Sequence, residues 1–197
     1  MASMEVKHDL SSVKENYVEV NGINLYYQEI GEGYPLILIH GGAGTATFNW
    51  EKHLPLFSKH FRVIAPDSRG HGKTENPTGE FSYKLMVDDF AELIRKLELE
   101  RPLVCGYSDG GQIALELGIN HPTLAQAIVA GGATSILTDT MKETMNSWGV
   151  KKPGEVDFDQ LEKQFGKELL ALLSSLHAPF MVKSIGRLYG QNYPRCG

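Results

Sequence analysis

Alternating and continuous apolar runs divide the first two thirds of the chain into strands, with helically spaced segments between them. Residues 17–20 and 23–30 flank Asn21-Gly22, the dipeptide that best fits a two-residue hairpin turn, so an antiparallel hairpin opens the fold. Leu36-Ile37-Leu38-Ile39 then runs apolar without alternation, as a strand buried on both faces does, and residues 61–66 form a second apolar strand. Between them Phe48, Trp50, Leu54 and Phe57 recur at loose helical spacing, in a helix that Pro55 is predicted to make irregular or kinked. Ser82 reads as the N-cap of a helix with Met86, Phe90, Leu93, Ile94 and Leu97 on its core face and Asp88, Asp89, Glu92, Arg95 and Lys96 on its wet side. A strand from Pro102, a helix running to about His121 and an apolar strand at 124–130 complete the series. Strands alternating with helices in this way predict an α/β fold with a doubly wound, mostly parallel sheet.

After Gly132 the pattern changes. Residues 136–148 and 158–176 read as amphipathic helices, the second with Leu161, Phe165, Leu169, Leu172, Leu173 and Leu176 on one side, and Lys151-Lys152-Pro153-Gly154 breaks the pattern between them. The stretch from 179 to the end is irregular, basic and punctuated by glycine, which predicts poor order. The chain therefore divides into a core at 1–133 and a helical segment with a C-terminal tail at 134–197.

Composition narrows the range of partners. With 197 residues, 42% hydrophobic and 22% charged, the chain is long enough to bury one real core. Its formal net charge of −5, without a long run of one sign, gives no footprint for nucleic acid or an anionic membrane. No stretch approaches the roughly 20 apolar residues of a membrane span, and the polar N-terminus reads as cytoplasmic. Cys105 and Cys196 do not suggest a disulfide framework, and His and Cys pairs at metal-ligand spacing are absent, so no metal is implied. No cofactor is implied either. Gly72-Lys73-Thr74 ends like a phosphate-binding loop, but Asp67 stands where that loop needs glycine; Gly42-Ala43-Gly44 begins like a dinucleotide fingerprint, but Thr47 stands at its third glycine.

The chemistry concentrates where the strand at 103–107 breaks into Gly106-Tyr107-Ser108-Asp109-Gly110-Gly111. Strand, sharp turn and helix form an elbow that holds its central residue in a strained conformation, and glycines two residues either side let the turn close. Ser108 would then stand at the sheet edge and at a helix N-terminus, where N–H groups and the helix dipole favour developing negative charge. That is the placement of a nucleophile. The consecutive glycines of His40-Gly41-Gly42 expose further N–H groups at the end of a central strand. His40 precedes those glycines and reads as a loop organiser rather than a base; His71 and His121 read as loop and helix-end residues, and Asp67 and Arg69 as braces of the loop after their strand.

Taken in order, the Asn-Gly hairpin, His40-Gly41-Gly42, Asp67-Ser68-Arg69-Gly70-His71-Gly72 and the Ser108 elbow resemble the α/β-hydrolase fold family, serine hydrolase type, over roughly 17–133. The resemblance implies a three-layer architecture with the first six strands of the family sheet, and the helical stretch after residue 133 resembles a partial cap. It also implies that Ser108 attacks an acyl carbonyl and that the oxyanion is held by the N–H groups of Asp109 and of Gly42 or a neighbour such as Gly41.

The family completes its site with an acid and then a histidine, on later strands. Here no Asp or Glu follows Glu168, and the only histidine after His121 is His177. Asp139 and His177 are the remaining candidates for acid and base. The chain reads as truncated, with the sixth strand left as an open edge that favours self-association. The expected function is hydrolysis of an ester or similar bond in a small molecule, esterase- or lactonase-like, with activity doubtful at this length. The competing reading is a non-catalytic binding or interaction protein, or a fragment, that keeps the scaffold.

Overall fold

The computed structural model describes residues 11–42 and 44–133, together with positions 139, 140, 143, 150–152, 155, 156 and 163. Strands β1 (Lys14–Val20) and β2 (Ile23–Ile30) form the opening hairpin, with Asn21 and Gly22 both at positive φ, 44° and 75°, as a tight hairpin turn requires. The chain continues through β3 (Tyr34–Ile39), short helices α1 (Ala46–Trp50) and α2 (Leu54–Phe57), β4 (Phe61–Pro66), α3 (Tyr83–Lys96), β5 (Leu103–Tyr107), α4 (Asp109–Asn120) and β6 (Ala127–Gly131). These strands make one six-stranded sheet in the order β1-β2-β4-β3-β5-β6. The pairs β3–β4, β3–β5 and β5–β6 are parallel, while β1–β2 and β2–β4 are antiparallel.

Alternation along the central strands distributes their side chains to two cores. Ile37 and Ile39 join Met86, Phe90, Leu93, Ile94, Ile113 and Leu117 beneath α3 and α4. Leu36 and Leu38 turn the other way, onto Ala46, Trp50 and Leu54. A sheet covered on both faces is the three-layer arrangement that continuous apolar strands anticipate.

Several local expectations are refined. Pro55 lies in the first turn of α2, where its missing N–H costs nothing, so the segment is two short helices rather than one bent one. The last strand begins at Ala127; the Leu124 N–H instead closes a turn onto the His121 carbonyl. The expected wet face of α3 is wrong at Asp89, which is buried. Its carboxylate takes a two-pronged contact from Arg69, with both N···O distances 2.8 Å, and a third bond from Asn21 Nδ2 at 3.1 Å. Burial pushes the Asp89 carboxyl above its ordinary value and the Arg69 guanidinium opposes that rise. This pair ties the loop after β4 to α3 and to the hairpin turn.

Beyond residue 133, positions 139, 140, 143 and 163 are helical. The break between the two expected helices carries a small antiparallel ladder, β7 (Val150–Lys152) with β8 (Glu155–Val156). The tail from 179 lies outside the described residues. Strand β6 is the edge of the described sheet, and Val129 on it is exposed. Among the described residues no helix is long and apolar enough to cross a membrane, and no three His, Cys, Asp or Glu side chains gather as metal ligands.

Removing one partner of a buried, forked ion pair strands the other charge, so Asp89→Ala is expected to destabilise the fold by about 3–5 kcal/mol. Urea unfolding measures this, and Arg69→Met combined with Asp89→Leu is expected to recover most of the loss. A loss below about 1 kcal/mol for Asp89→Ala would contradict a structural role for the pair.

Candidate active site

Ser108 links β5 to α4 at φ 55° and ψ −120°, a conformation that a side-chain-bearing residue adopts only when its surroundings impose it. The imposing contacts are visible. Its N–H donates to the Gly131 carbonyl at 2.7 Å, and its own carbonyl accepts the Gln112 N–H at 3.1 Å as α4 begins. A Cβ on Gly110 would overlap the Ile39 and His40 carbonyls, and one on Gly106 would overlap the Gly110 carbonyl. Backbone thus packs directly on backbone where β3, β5 and α4 meet. Ser108 is half-buried there, with exposed Tyr107 beside it.

The loop after β3 lies against this elbow. A Cβ on Gly41 would stand 3.2 Å from Ser108 Cβ, and one on Gly42 would run into the Asp109 carboxylate. Asp109 is itself buried and pinned, its Oδ1 accepting from the Tyr83 hydroxyl at 2.7 Å. Its backbone N–H opens α4, in the first turn, where such groups point out along the helix axis. Around Gly41 the polar groups are used: its N–H donates to Asn49 Oδ1 and its carbonyl accepts the Gly44 N–H, both at 3.0 Å. The Gly42 carbonyl meets His71 Nε2 at 3.0 Å. No described residue accepts from the Gly42 N–H.

Both histidines near the site are committed to the loops. His40 is buried; its Nε2 accepts the Ser68 N–H at 2.9 Å, which leaves the ring proton on Nδ1 to donate to the Gly41 carbonyl at 2.7 Å. Burial, with the nearby His71, pushes its pKa down to about 3, so it stays neutral and has no ring nitrogen left for a serine proton. His71 lies with both nitrogens against backbone carbonyls. Asp67 braces as expected: its carboxylate accepts the Ala46 and Lys73 N–H groups at 2.8 and 2.9 Å, while burial raises its pKa against those bonds.

The expected site residues therefore divide. Ser108, Asp109, Gly41 and Gly42 come together. Asp139 is exposed in a helical turn, and His177 lies outside the described residues. Sequence reasoning missed Asn49 as the anchor of Gly41, Tyr83 as the anchor of Asp109 and the Asp89 carboxylate, because no motif marks a partner that distant in the chain. A cavity of about 400 Å³ along α3 is not this site: Arg69, Asp88, Asp89, Glu92, Arg95 and His121 line it, and Asp88, Asp89 and Glu92 already pair with Lys84, Arg69 and Arg95.

With fold and elbow in place, comparison with known proteins is direct. The profile of the alpha/beta hydrolase fold matches residues 34–182, and the chain belongs to that family. It is 36% identical to the 2-hydroxy-6-oxo-2,4-heptadienoate hydrolase of Pseudomonas putida over 67% of this chain and 49% of that protein. It is 30% identical to a soluble epoxide hydrolase of Corynebacterium over 60% of this chain and 41% of that one. Among solved structures a meta-cleavage product hydrolase, CumD, matches at 27% identity and a TM-score of 0.65, covering 85% of this chain and 63% of its own. The chain spans about half the length of the curated relatives it matches.

The buried neutral state of His40 sets a pH dependence. The unfolded chain takes up a proton at His40 near 6.5 and the folded chain only near 3. His40 therefore contributes fully above about pH 6.5, and its contribution falls by about 1.4 kcal/mol per pH unit as pH drops toward 3. Urea unfolding of the wild type and His40→Gln is expected to show a stability gap about 2 kcal/mol narrower at pH 5 than at pH 7. A gap independent of pH would contradict the assignment.

Proposed function

We propose that this chain carries the acyl-transfer half of a serine hydrolase site acting on an ester, or a comparable bond beside a carbonyl, in a small molecule. The observation that carries this reading is Ser108 at positive φ on the β5–α4 elbow, with the Gly41-Gly42 loop against it. Ser108 Oγ attacks the carbonyl carbon, and the charge that develops on oxygen is met by the N–H groups of Asp109 and Gly42. The serine proton passes to water or to the leaving group, which departs with the electron pair of the broken bond, and water later adds to the acyl carbonyl, returns a proton to Ser108 Oγ and releases the acid. Residues 1–133 form the core in this reading, and the segment from 134 on serves as a cap that shapes substrate choice.

Two relatives frame the substrate class. The P. putida protein is named for a dienoate and the Corynebacterium protein for epoxides. Epoxide hydrolases of this fold normally carry aspartate at the elbow, so Ser108 favours attack at a carbonyl carbon. Carbon–carbon cleavage beside a ketone belongs to the same chemistry as ester hydrolysis, since both pass through a tetrahedral oxyanion.

A second reading, a scaffold that binds and does not turn over, is favoured by a specific observation: His40 and His71 are both held by the loops, so neither is available as base to Ser108. In this chain His177 is the remaining base candidate and Asp139 the remaining acid candidate. A serine without its base retains only the modest catalysis of binding and oxyanion stabilisation, at most about 10⁴-fold over water.

The test is incubation with p-nitrophenyl acetate, read by intact mass and by nitrophenolate release. The expected result is slow release, unchanged in His177→Ala, with one acetyl group per chain on Ser108 and none in Ser108→Ala. Acetylation scattered over lysines regardless of Ser108 would overturn the nucleophile assignment. Fast turnover lost in both variants would instead assign His177 as the base.

A further inference from the structure

The donor loop is held by a histidine that the acyl-transfer scheme leaves without a role. His71 is buried in the loop after β4, with Nδ1 3.0 Å from the Arg69 carbonyl and Nε2 3.0 Å from the Gly42 carbonyl. The rings of His40 and Phe81 flank it, with centroids 5.0 and 5.6 Å away. Its far end is firmly founded, because the Arg69 guanidinium is locked onto buried Asp89. His71 is thus a strut from the braced β4 loop to the loop after β3.

What the strut controls follows from peptide planarity. The Gly42 N–H belongs to the peptide whose carbonyl is that of Gly41, and a planar trans peptide points the two in opposite directions. That carbonyl is held by His40 Nδ1 and the Gly44 N–H. The next peptide plane carries the Gly42 carbonyl and is held by His71. Glycine has the widest backbone freedom of any residue, so holding the first plane aims the Gly42 N–H but leaves the second plane, and the loop beyond it, free to turn about the Gly42 Cα. His71 supplies the second constraint.

Resting on the reading of Ser108 as nucleophile, the geometry points to His71 as a positioning residue: Nε2–H donates to the Gly42 carbonyl and so keeps the Gly41-Gly42 loop seated against the Ser108 elbow, where the Gly42 N–H serves the oxyanion. Both ring nitrogens face carbonyl oxygens, and a proton on Nε2 is what makes the contact with Gly42 a bond that restrains the donor loop. The residue touches neither the substrate nor the reacting atoms. Its effect is on the rate of the bond-forming step and not on affinity.

The experiment uses an alkyl fluorophosphonate, which forms an Oγ–P bond at Ser108 as the P–F bond breaks, fluoride leaving and the serine proton passing to solvent. Saturation kinetics of labelling, by intact mass on the full chain, separate the limiting rate from the half-saturating concentration. His71→Phe is expected to lower the limiting rate about ten- to a hundredfold with half-saturation unchanged. His71→Gln, which keeps an N–H donor, is expected to stay within about threefold of wild type. Wild-type labelling of Ser108 with an unchanged limiting rate in His71→Phe overturns the strut and leaves the nucleophile standing. No labelling of Ser108 in the wild type overturns the nucleophile and the strut with it. A long-range nitrogen–proton NMR spectrum of the wild-type imidazole tests the same bond without a variant that must fold: a proton on Nε2 supports it, and a proton on Nδ1 alone overturns it.

Discussion

The structure depends on one close approach, of the backbone at the end of β3 to the backbone of the Ser108 elbow. Gly110 sits against the Ile39 and His40 carbonyls and Gly106 against the Gly110 carbonyl, with no space for a side chain at either position. Parallel strands β3 and β5 bring these ends together, since their pairing sets Ile39 opposite Gly106. The cost is a serine at positive φ, and the sheet beneath overdetermines it. Three features of the site follow from that contact: a serine on the turn, a helix N-terminus behind it and a glycine loop in front.

The loops around this contact are held by buried polar groups with matched partners at three points. His40 spans the Ser68 N–H and the Gly41 carbonyl, Asp67 collects two backbone N–H groups, and Asp89 receives the fork of Arg69. Such groups contribute little net stability when complete and cost several kcal/mol when broken, so their value lies in fixing loop geometry. A pre-fixed donor array is what electrostatic stabilisation of an oxyanion requires, because donors that reorient during reaction lose most of their advantage. The same economy explains why His40 is a poor base: burial that makes it a good structural bond acceptor also strips it of its charged form.

How much was legible in the sequence depended on the range of the signal. Asn21-Gly22, the apolar runs at 36–39 and 61–66 and the Gly106-to-Gly110 spacing are local, and hairpin, central strands and elbow all stand where they point. Asp89 was misread because helical periodicity places it beside the wet residues Asp88 and Glu92, while its partner Arg69 is 20 positions away. The start of β6 slipped by three residues because Leu124 and Ala125 are apolar for packing against the core from a turn, not from a strand. Asn49 and Tyr83 sit within ordinary helical context, and only the folded chain brings them to Gly41 and Asp109.

The central proposal is spatial: that the N–H groups of Gly42 and Asp109 converge on one oxygen of a group bound through Ser108 Oγ. A crystal structure of the chain after phosphonylation measures that arrangement directly. The account predicts phosphorus on Ser108 with its unesterified oxygen about 3 Å from both nitrogens. An adduct whose oxygen points to solvent, with the Gly42 N–H turned away, would contradict it.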